Sequence, residues 1–197
     1  MRTHRPAGFL LAIAMLLVLS SCAKKSEETT TSSTTTTPES TTTAPSGSPS
    51  DAEIAATVTA ANDTDIQNGQ LAMSKSANAE VKAFAKEMVA AHTQLNEQGS
   101  ALLSKLSVTP SDNPTSTSIR TGGETTRASL NGLSGADFDK AYINAEVDLH
   151  QAVLDQLDNT LIPSAQNAEL KELLQKARPT IQAHLDHAKS LKSKLGA

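Results

Sequence analysis

The chain has 197 residues, with three phenylalanines, one tyrosine, no tryptophan and a single cysteine, and its formal net charge is −4 at pH 7. A nucleic-acid-binding protein needs a basic footprint to meet phosphates, so this acidic balance excludes nucleic acid as an expected partner. One cysteine excludes an intramolecular disulfide framework and a cysteine-rich metal site, and so few aromatic residues favour helices over a β-sandwich or barrel.

The amino terminus has the pattern of a targeting segment. Two arginines precede an apolar run at residues 9–19, which is shorter than the roughly 20 residues of a transmembrane helix but typical of a signal-peptide core. The run ends in a Leu-Ser-Ser-Cys motif that resembles the lipobox of bacterial lipoproteins, in which the cysteine thiol is lipidated. The sequence therefore predicts a lipoprotein signal peptide at residues 1–21 and lipidation of Cys22. The alternative is ordinary signal-peptide cleavage, with Cys22 incidental.

Lipidation also predicts where the protein resides. Lipoproteins of this type carry several acyl chains, and stable anchoring requires more than one chain, so the lipid bilayer is the expected partner of acylated Cys22. Ala23 stands where an aspartate would favour retention in the inner membrane of Gram-negative bacteria. The predicted location is therefore the outer membrane, with the domain facing the periplasm.

Residues 22–50 are predicted to form a disordered tether that begins at the lipidated cysteine. Between residues 26 and 50, 17 of 25 side chains are serine or threonine, and three are proline. Such a segment cannot bury enough apolar surface to offset the entropy of ordering. Glycosylation of the threonine run is an alternative interpretation of the same composition, with a bare linker as the main prediction.

Residues 51–197 are predicted to form a helical domain. The first helix is expected at residues 51–75, with Asp51 as its N-cap, because a short acidic side chain can accept from the free amides of the first turn. The second helix is expected at residues 79–107, after Asn78 as its cap. The first helix carries Ile54, Val58, Ala61 and Ala72 on one side, and the second carries apolar residues at alternating spacings of four and three, which is the pattern of a face packed against neighbouring helices.

The second half of the domain is predicted to begin with a long loop rich in proline and glycine. This loop is interrupted only by a short helix near residues 124–130. A third helix is expected to open at Ser134, with Asp137 completing a capping box, and to end or bend at Pro163. The fourth helix is expected to start near Asn167.

Four amphipathic helices of this length are expected to pack as a four-helix bundle. An antiparallel arrangement with short connections satisfies their apolar faces best. The alternative is that the long middle segment serves as a crossover connection, as it does in ferritin-like folds.

Polar side chains interrupt the apolar faces near the middle of each predicted helix. Because helices of similar length packed side by side bring their midpoints to one height, these side chains are predicted to form a single layer. The residues of this layer are Asp65, His92, Glu146, His150 and His184.

The predicted layer has the donor types of a metal site. Imidazoles and carboxylates that converge from several helices suit one divalent transition-metal ion, and helical bundles build metal sites in this way. The alternative is a buried, hydrogen-bonded polar layer that fixes the register of the helices and binds nothing. His187 lies off the apolar face and is predicted to be a partly exposed residue rather than a ligand.

The domain resembles a family of exported bacterial proteins named domain of unknown function 4142, whose members are often described as outer-membrane proteins and grouped with ferritin-like folds. The resemblance covers nearly all of residues 51–197. It is carried by Gly69-Gln70-Leu71-Ala72, by residues 81–92, by residues 138–143 followed by His150, and by Arg178-Pro179 followed by His184. The resemblance implies a ferritin-like fold and suggests iron, but it implies no settled activity.

The chain departs from the resembled pattern in ways that bear on the metal. Asp65 stands where the family often has a glutamate, and Arg178 stands where it has a leucine. Glu146 and His150 are four residues apart, so the paired Glu-x-x-His motifs of a di-iron site are absent from the sequence. A layer with more histidines than carboxylates suits one zinc, copper, nickel or iron ion better than a di-iron centre.

Three functions are compatible with these features. The leading prediction is a non-enzymatic envelope lipoprotein whose helical bundle binds a ligand or partner, with a metal ion as one candidate. The second is a ferritin-like redox or storage protein, and the third is a purely structural or stress-related protein of the envelope. The sequence has no phosphate-binding loop, nucleophile elbow, zincin motif or dinucleotide fingerprint, so enzymatic activity is the less favoured prediction.

Overall fold

The computed structural model describes residues 47–197. The predicted signal peptide, Cys22 and the tether as far as residue 46 lie outside the described residues. Residues 47–197 form helices and no strands, which confirms the all-helical prediction. Among these residues, no helix combines the length and the apolar character needed to cross a membrane.

Five long helices and one short helix follow one another along the described chain. They are α1 (Asp51–Lys75), α2 (Ala79–Leu106), α3 (Pro114–Asn131), α4 (Gly135–Gln156), α5 (Ile162–Ser164) and α6 (Ala168–Leu195). A π-helical turn, Leu157–Leu161, joins α4 to α5. The side chains of Asn78 and Asn167 cap α2 and α6 as predicted, and the helical path ends at Ser164, one residue after the predicted breaker Pro163.

The N-cap of α1 is Ser50, so the prediction of Asp51 is wrong by one residue. The Ser50 hydroxyl accepts from the backbone N–H of Glu53, and the Glu53 carboxylate accepts from the backbone N–H of Ser50, which makes a reciprocal capping box. This leaves the Asp51 carboxylate free to accept from the backbone N–H groups of Gln166 and Asn167. Asp51 therefore ties the start of α1 to the start of α6.

The capping box predicted at the start of α4 is also wrong. Ser134 is the N-cap residue, but its side chain makes no capping hydrogen bond. Gly135, the first residue of α4, has a φ of 56° in the left-handed region. Because of this φ, the backbone at the start of α4 departs from the regular geometry of a capping box.

The segment predicted to be mainly loop forms α3, which has 18 residues, so the prediction of a short helix near residues 124–130 is wrong in extent. Pro114 lies in the first turn, where its missing N–H has no helical partner to lose. The Asn113 side chain caps this turn by accepting from the backbone N–H of Ser116. Proline therefore starts this helix instead of breaking it.

Helix α3 runs parallel to α1 and carries the chain from one end of the bundle to the other. At its start, the Asn113 side-chain amide donates to the Thr57 hydroxyl near the beginning of α1. At its end, the Lys75 ammonium at the last turn of α1 donates to the backbone carbonyl of Asn131. As a result α2 and α4 run in the same direction, and α3 is the crossover that connects them.

The remaining helix, α6, runs parallel to α1. The backbone N–H of its N-cap residue, Asn167, donates to the Asp51 carboxylate at the start of α1. At its other end, Lys194 pairs with Glu80 at the start of α2, at 2.8 Å. The core helices α1, α2, α4 and α6 thus follow an up, down, down, up order with one long crossover, which is the connectivity of ferritin-like bundles. The simple antiparallel order is therefore wrong, and the crossover alternative is the observed one.

The core consists of two apolar clusters at different heights. The upper cluster lies near the end of α1 and is built around aromatic side chains, among them Phe84, Phe138 and Tyr142. The lower cluster is aliphatic and gathers residues such as Ile54, Leu154 and the two leucines of the π-helical turn, Leu157 and Leu161. The predicted polar layer lies between these two clusters along α1, α2, α4 and α6.

Candidate metal centre

The structure brings the predicted polar residues together in one buried cluster, called here the polar cluster. Each of the four core helices contributes to it, because the crossover places the midpoints of α1, α2, α4 and α6 at one height. The exposed fractions of its five residues are 2% for Asp65, 3% for His92, 0% for Glu146, 1% for His150 and 4% for His184.

The three imidazole rings meet at the centre of the bundle. Their ring centroids are 5.6 Å apart for His92 and His150, 5.3 Å for His92 and His184, and 5.5 Å for His150 and His184. One ring nitrogen of each histidine lies within 4.8 Å of the others. This near-equilateral arrangement is what three ligands around one ion need.

A chain of hydrogen bonds determines the tautomer of His92, that is, which of its ring nitrogens carries the proton. The Asn96 amide nitrogen donates to the Asp63 carboxylate, whose oxygens act as acceptors. The Asn96 oxygen is therefore the atom that faces Asn62. The Asn62 amide nitrogen donates to that oxygen, which leaves the Asn62 oxygen facing Nδ1 of His92 at 2.9 Å. Nδ1 of His92 must then carry the proton, and its Nε2 holds a lone pair.

His150 is oriented in the same sense by the backbone. Its Nδ1 lies 2.9 Å from the carbonyl oxygen of Glu146 one turn earlier, and a carbonyl can only accept. Nδ1 therefore carries the proton, and Nε2 of His150 also holds a lone pair. A backbone carbonyl or amide that holds the far ring nitrogen is the usual support of a metal-binding histidine.

Both Nε2 atoms lie close to the carboxylate of Asp65. Its Oδ2 lies 3.2 Å from Nε2 of His92 and 3.4 Å from Nε2 of His150. Three electron-pair acceptors at these distances repel one another unless a cation or a proton lies among them. This geometry therefore favours a cation or a proton between Nε2 of His92, Nε2 of His150 and Oδ2 of Asp65.

Seven buried polar atoms of the cluster, including the two Nε2 atoms just described, lack a hydrogen-bond partner among the described residues. They are Oδ1 of Asp65, Nε2 of His92, the hydroxyl of Tyr142, both carboxylate oxygens of Glu146, Nε2 of His150 and Nδ1 of His184. Buried polar atoms in folded proteins are rarely left without partners. So many of them around one point indicate that a bound ion or solvent belongs there.

Burial keeps the three imidazoles neutral at physiological pH. The pKa of His92, His150 and His184 is lowered from 6.5 to about 4 in each case, mainly by desolvation, and the neighbouring imidazoles contribute to the decrease for His92 and His184 while Asp65 opposes it for His92. A neutral imidazole is the form that binds metal. The cluster thus presents histidines that need not lose a proton at pH 7.

The two carboxyls respond to burial in the opposite direction. Desolvation raises the pKa of Asp65 and raises the pKa of Glu146 well above its usual value, and the nearby Asp65 charge adds to the effect on Glu146. Without a cation, the pair therefore holds a proton that it would lose in water. A bound cation would favour the ionised carboxylates and release it.

The residues form two overlapping sets that could hold an ion. The first is His92, His150 and His184, and the second is Asp65, Glu146 and His150, with His150 common to both. Imidazole nitrogens suit zinc, copper, nickel and iron, while the carboxylates add oxygen ligands. The donor set fits one ion of this class, with Asp65 in reach of two imidazoles.

The structure also separates the other histidine and adds a residue that the sequence did not point to. His187 lies at the surface, where its Nδ1 is 3.0 Å from the Glu87 carboxylate, outside the cluster as predicted. Asn62, which orients His92, was missed because an asparagine on a helix carries no signal by itself. Its position three residues before Asp65, on the same face of α1, is the one hint the sequence offers.

Comparison with known proteins gives a family but no activity. The family described as a domain of unknown function (DUF4142) matches residues 36–191. No curated protein and no solved structure matches the chain.

Proposed function

The chain belongs to the DUF4142 family, and because the description of that family names no activity, we propose a function from the geometry of the polar cluster. The helical domain binds one divalent transition-metal ion between α1, α2, α4 and α6. The imidazoles of His92, His150 and His184 and the carboxylate of Asp65 are its ligands. Glu146 completes the site with a carboxylate that loses its proton when the ion binds.

One observation carries this proposal. Nε2 of His92 and Nε2 of His150, which carry lone pairs, both lie close to Oδ2 of Asp65, at 3.2 and 3.4 Å. A single proton on Asp65 can satisfy one of these nitrogens but not both, and Nδ1 of His184 would still be unpaired. A metal ion between Nε2 of His92, Nε2 of His150 and Oδ2 of Asp65 would satisfy these three atoms at once, which a hydrogen-bonded polar layer does not.

The protein acts as a binding module of the cell envelope in this proposal. Lipidated Cys22 anchors it to the outer membrane, and the tether holds the helical domain in the periplasm. The lipobox pattern supports the anchor, and Ala23 supports the outer membrane as its destination. Buried ligands from four helices support tight, slowly exchanging binding of one ion rather than turnover of a substrate.

Metal analysis tests the proposal directly. We expect purified protein to retain about one Zn²⁺, Cu²⁺, Ni²⁺ or Fe²⁺ per chain, and metal added to stripped protein to raise its free energy of unfolding by about 3 kcal/mol when free metal exceeds Kd about 100-fold. The measurements are elemental analysis, calorimetric titration and thermal unfolding with and without a chelator.

Two histidines on α6 provide a matched pair of variants. His184→Ala removes a proposed ligand and should abolish binding and metal-dependent stabilisation, whereas His187→Ala removes an exposed histidine and should leave both unchanged. Protein that neither contains nor binds any of the four metals, with thermal unfolding unaffected by them, would show that the cluster is a structural polar layer.

Two observations favour a second candidate, a ferritin-like redox or storage protein. The crossover connectivity of the core helices is that of ferritin-like bundles, and burial, together with the nearby charges of Glu146 and Asp65, raises the pKa of the Tyr142 hydroxyl. Oxygen uptake on addition of Fe²⁺ to stripped protein would favour this candidate. Binding without oxygen uptake favours the binding module.

A further inference from the structure

A cavity of about 410 Å³ lies in the lower half of the bundle, beside the aliphatic core cluster. Residues of α1, α2, α3, α4 and α6 and of the π-helical turn line it. Its volume lies in the range of about 300–1,000 Å³ that is typical of pockets for small molecules. It is distinct from the polar cluster, which lies between the two apolar core clusters.

The lining of this cavity has one chemical character. Leucine, isoleucine, valine and alanine predominate, and none of the residues that line it is charged or aromatic. The amides of Asn62 and Asn96, which also line it, are engaged with each other, with His92 and with Asp63. A charged ligand would be buried there without a counter-ion, and a flat aromatic ligand would find no ring to stack on.

Two local features of the chain contribute to the lining of the cavity. Leu157 and Leu161 line it from the π-helical turn, and such turns, which interrupt the regular spacing of a helix, are frequent at functional sites. Gly99 lines it from the middle of α2, and a Cβ built on Gly99 meets no atom within 4 Å. Glycine in the interior of a helix costs about 1 kcal/mol relative to alanine, so a larger residue would both fill the space and suit the helix.

We propose that this cavity binds an uncharged aliphatic chain, either an acyl chain or an isoprenoid. Flexible aliphatic walls without charges or rings match a hydrocarbon chain better than any other class of ligand. The inference does not depend on the metal proposal, because no residue proposed as a metal ligand lines the cavity.

The cavity nevertheless approaches the polar cluster at one end. Asn62 lines the cavity, and its side-chain oxygen binds Nδ1 of His92. Ile181, which also lines it, precedes His184 by one turn of α6. A bound chain therefore lies against the residues that support two of the proposed ligands.

Binding of two uncharged alcohols by the full chain tests the proposal. The protein carries Cys22→Ser, so that no acyl chain attached to it competes, and its leucine methyl groups are labelled for NMR. We expect 1-dodecanol or farnesol, below its solubility limit, to shift the methyl resonances of Leu103 and Leu173 saturably, and those of Leu133 in the upper core much less. Dodecanol stands for an acyl chain and farnesol for an isoprenoid, so the tighter ligand identifies the source.

Filling the cavity provides the matched control. Gly99→Leu should weaken binding by at least about tenfold, equivalent to about 1.4 kcal/mol, and Ala177→Leu, which fills the cavity from α6, should act in the same direction. Gly122→Leu adds the same side chain at an exposed helical glycine outside this cavity and should bind like the parent. Circular dichroism confirms that each variant is folded. Absence of saturable shifts with both alcohols, or equal binding by the folded Gly99→Leu or Ala177→Leu protein, would overturn the proposal.

Discussion

The two ring nitrogens of His92 have different partners, and this difference makes Asn62 a positioning residue. Nδ1 faces the Asn62 oxygen, while Nε2 faces Asp65. Hydrogen bonds that hold the far nitrogen of a metal-binding histidine fix its tautomer and its ring orientation. Asn62 is itself held by Asn96, so its oxygen is not free to turn away.

Replacing this asparagine should weaken metal binding without removing a ligand. For Asn62→Ala we expect the metal affinity to fall about 10–100-fold, as is usual when a supporting hydrogen bond is lost. Calorimetric titration measures the change. Asn159→Ala is the matched control, since Asn159 is exposed and its amide binds only the backbone carbonyl of Asp155. Equal affinities of the Asn62 variant and the parent would show that Asn62 does not position His92.

The buried titratable groups give the metal-free protein a defined dependence on pH. The unfolded chain protonates its histidines at pH values below about 6.5, but in the fold the pKa of His92, His150 and His184 is about 4. Between these values the unfolded state binds more protons, so the free energy of unfolding falls as the pH falls. The raised pKa values of Asp65 and Glu146 act in the opposite sense in this range.

Three imidazoles outweigh two carboxyls, so we expect a net loss of stability from pH 6.5 to pH 4.5. The loss should be about 1.4 kcal/mol per pH unit for each proton of difference. Urea unfolding in the presence of a chelator measures it. Glu146→Gln removes one opposing group and should make the dependence steeper, whereas the exposed Glu97→Gln should leave it unchanged. A stability that is constant or rises over this range would contradict the neutral, buried state of the histidines.

At the scale of elements, α3 lies unusually close to α1. A Cβ built on Gly123 would lie 2.6 Å from Cγ2 of Thr64, whereas one built on the adjacent Gly122 meets nothing within 4 Å. Threonine in a helix has few allowed rotamers, so Thr64 cannot easily move aside. Gly123 is therefore required by packing, while Gly122 is not.

Alanine at each of these glycines should have opposite effects. Gly123→Ala should destabilise the fold by about 1–3 kcal/mol, because α3 must shift away from α1. Gly122→Ala should stabilise it by about 1 kcal/mol through helix propensity alone. Chemical unfolding of both variants is the measurement. Two stabilising substitutions would mean that α3 does not pack on α1 as observed.

Helix α3 also marks the limit of local sequence signals. Proline and paired glycines predict a loop when only neighbours in sequence are considered. Pro114 is nevertheless acceptable in a first helical turn, and Gly123 is favoured by contact with Thr64, a residue 59 positions earlier in the chain. The sequence of α3 does not contain the information that α1 lies beside it, so its extent could not be predicted.

At the scale of the whole molecule, the polar cluster lies between two apolar clusters that exclude water from it. The aromatic cluster above and the aliphatic cluster below leave Asp65, Glu146 and His150 almost without solvent contact. Low polarity strengthens the attraction between a cation and its ligands and increases the cost of leaving them unpaired. The surrounding fold thus favours occupation of the cluster.

The proposed membrane anchor rests on one side chain and is tested separately from the domain. Cys22→Ala should move the protein from the membrane fraction to the soluble fraction, because lipidation requires the thiol. Ser21→Ala keeps a small residue next to the cysteine and should leave the protein in the membrane fraction. Fractionation followed by immunoblotting distinguishes the two. Continued membrane association of the Cys22 variant would remove the lipid anchor from the proposed function.

The sequence by itself determined the helical class, the starts of α2 and α6 and the five polar residues of the cluster. These features depend on local rules: the spacing of apolar residues, the capping asparagines, and the interruption of each apolar face near its middle. Only the tertiary structure decided that α3 is a crossover, that Nε2 of His92 and of His150 lie within 3.4 Å of Asp65, and that Asn62 holds Nδ1 of His92. Such features depend on contacts between residues far apart in sequence, which periodicity along one helix does not encode.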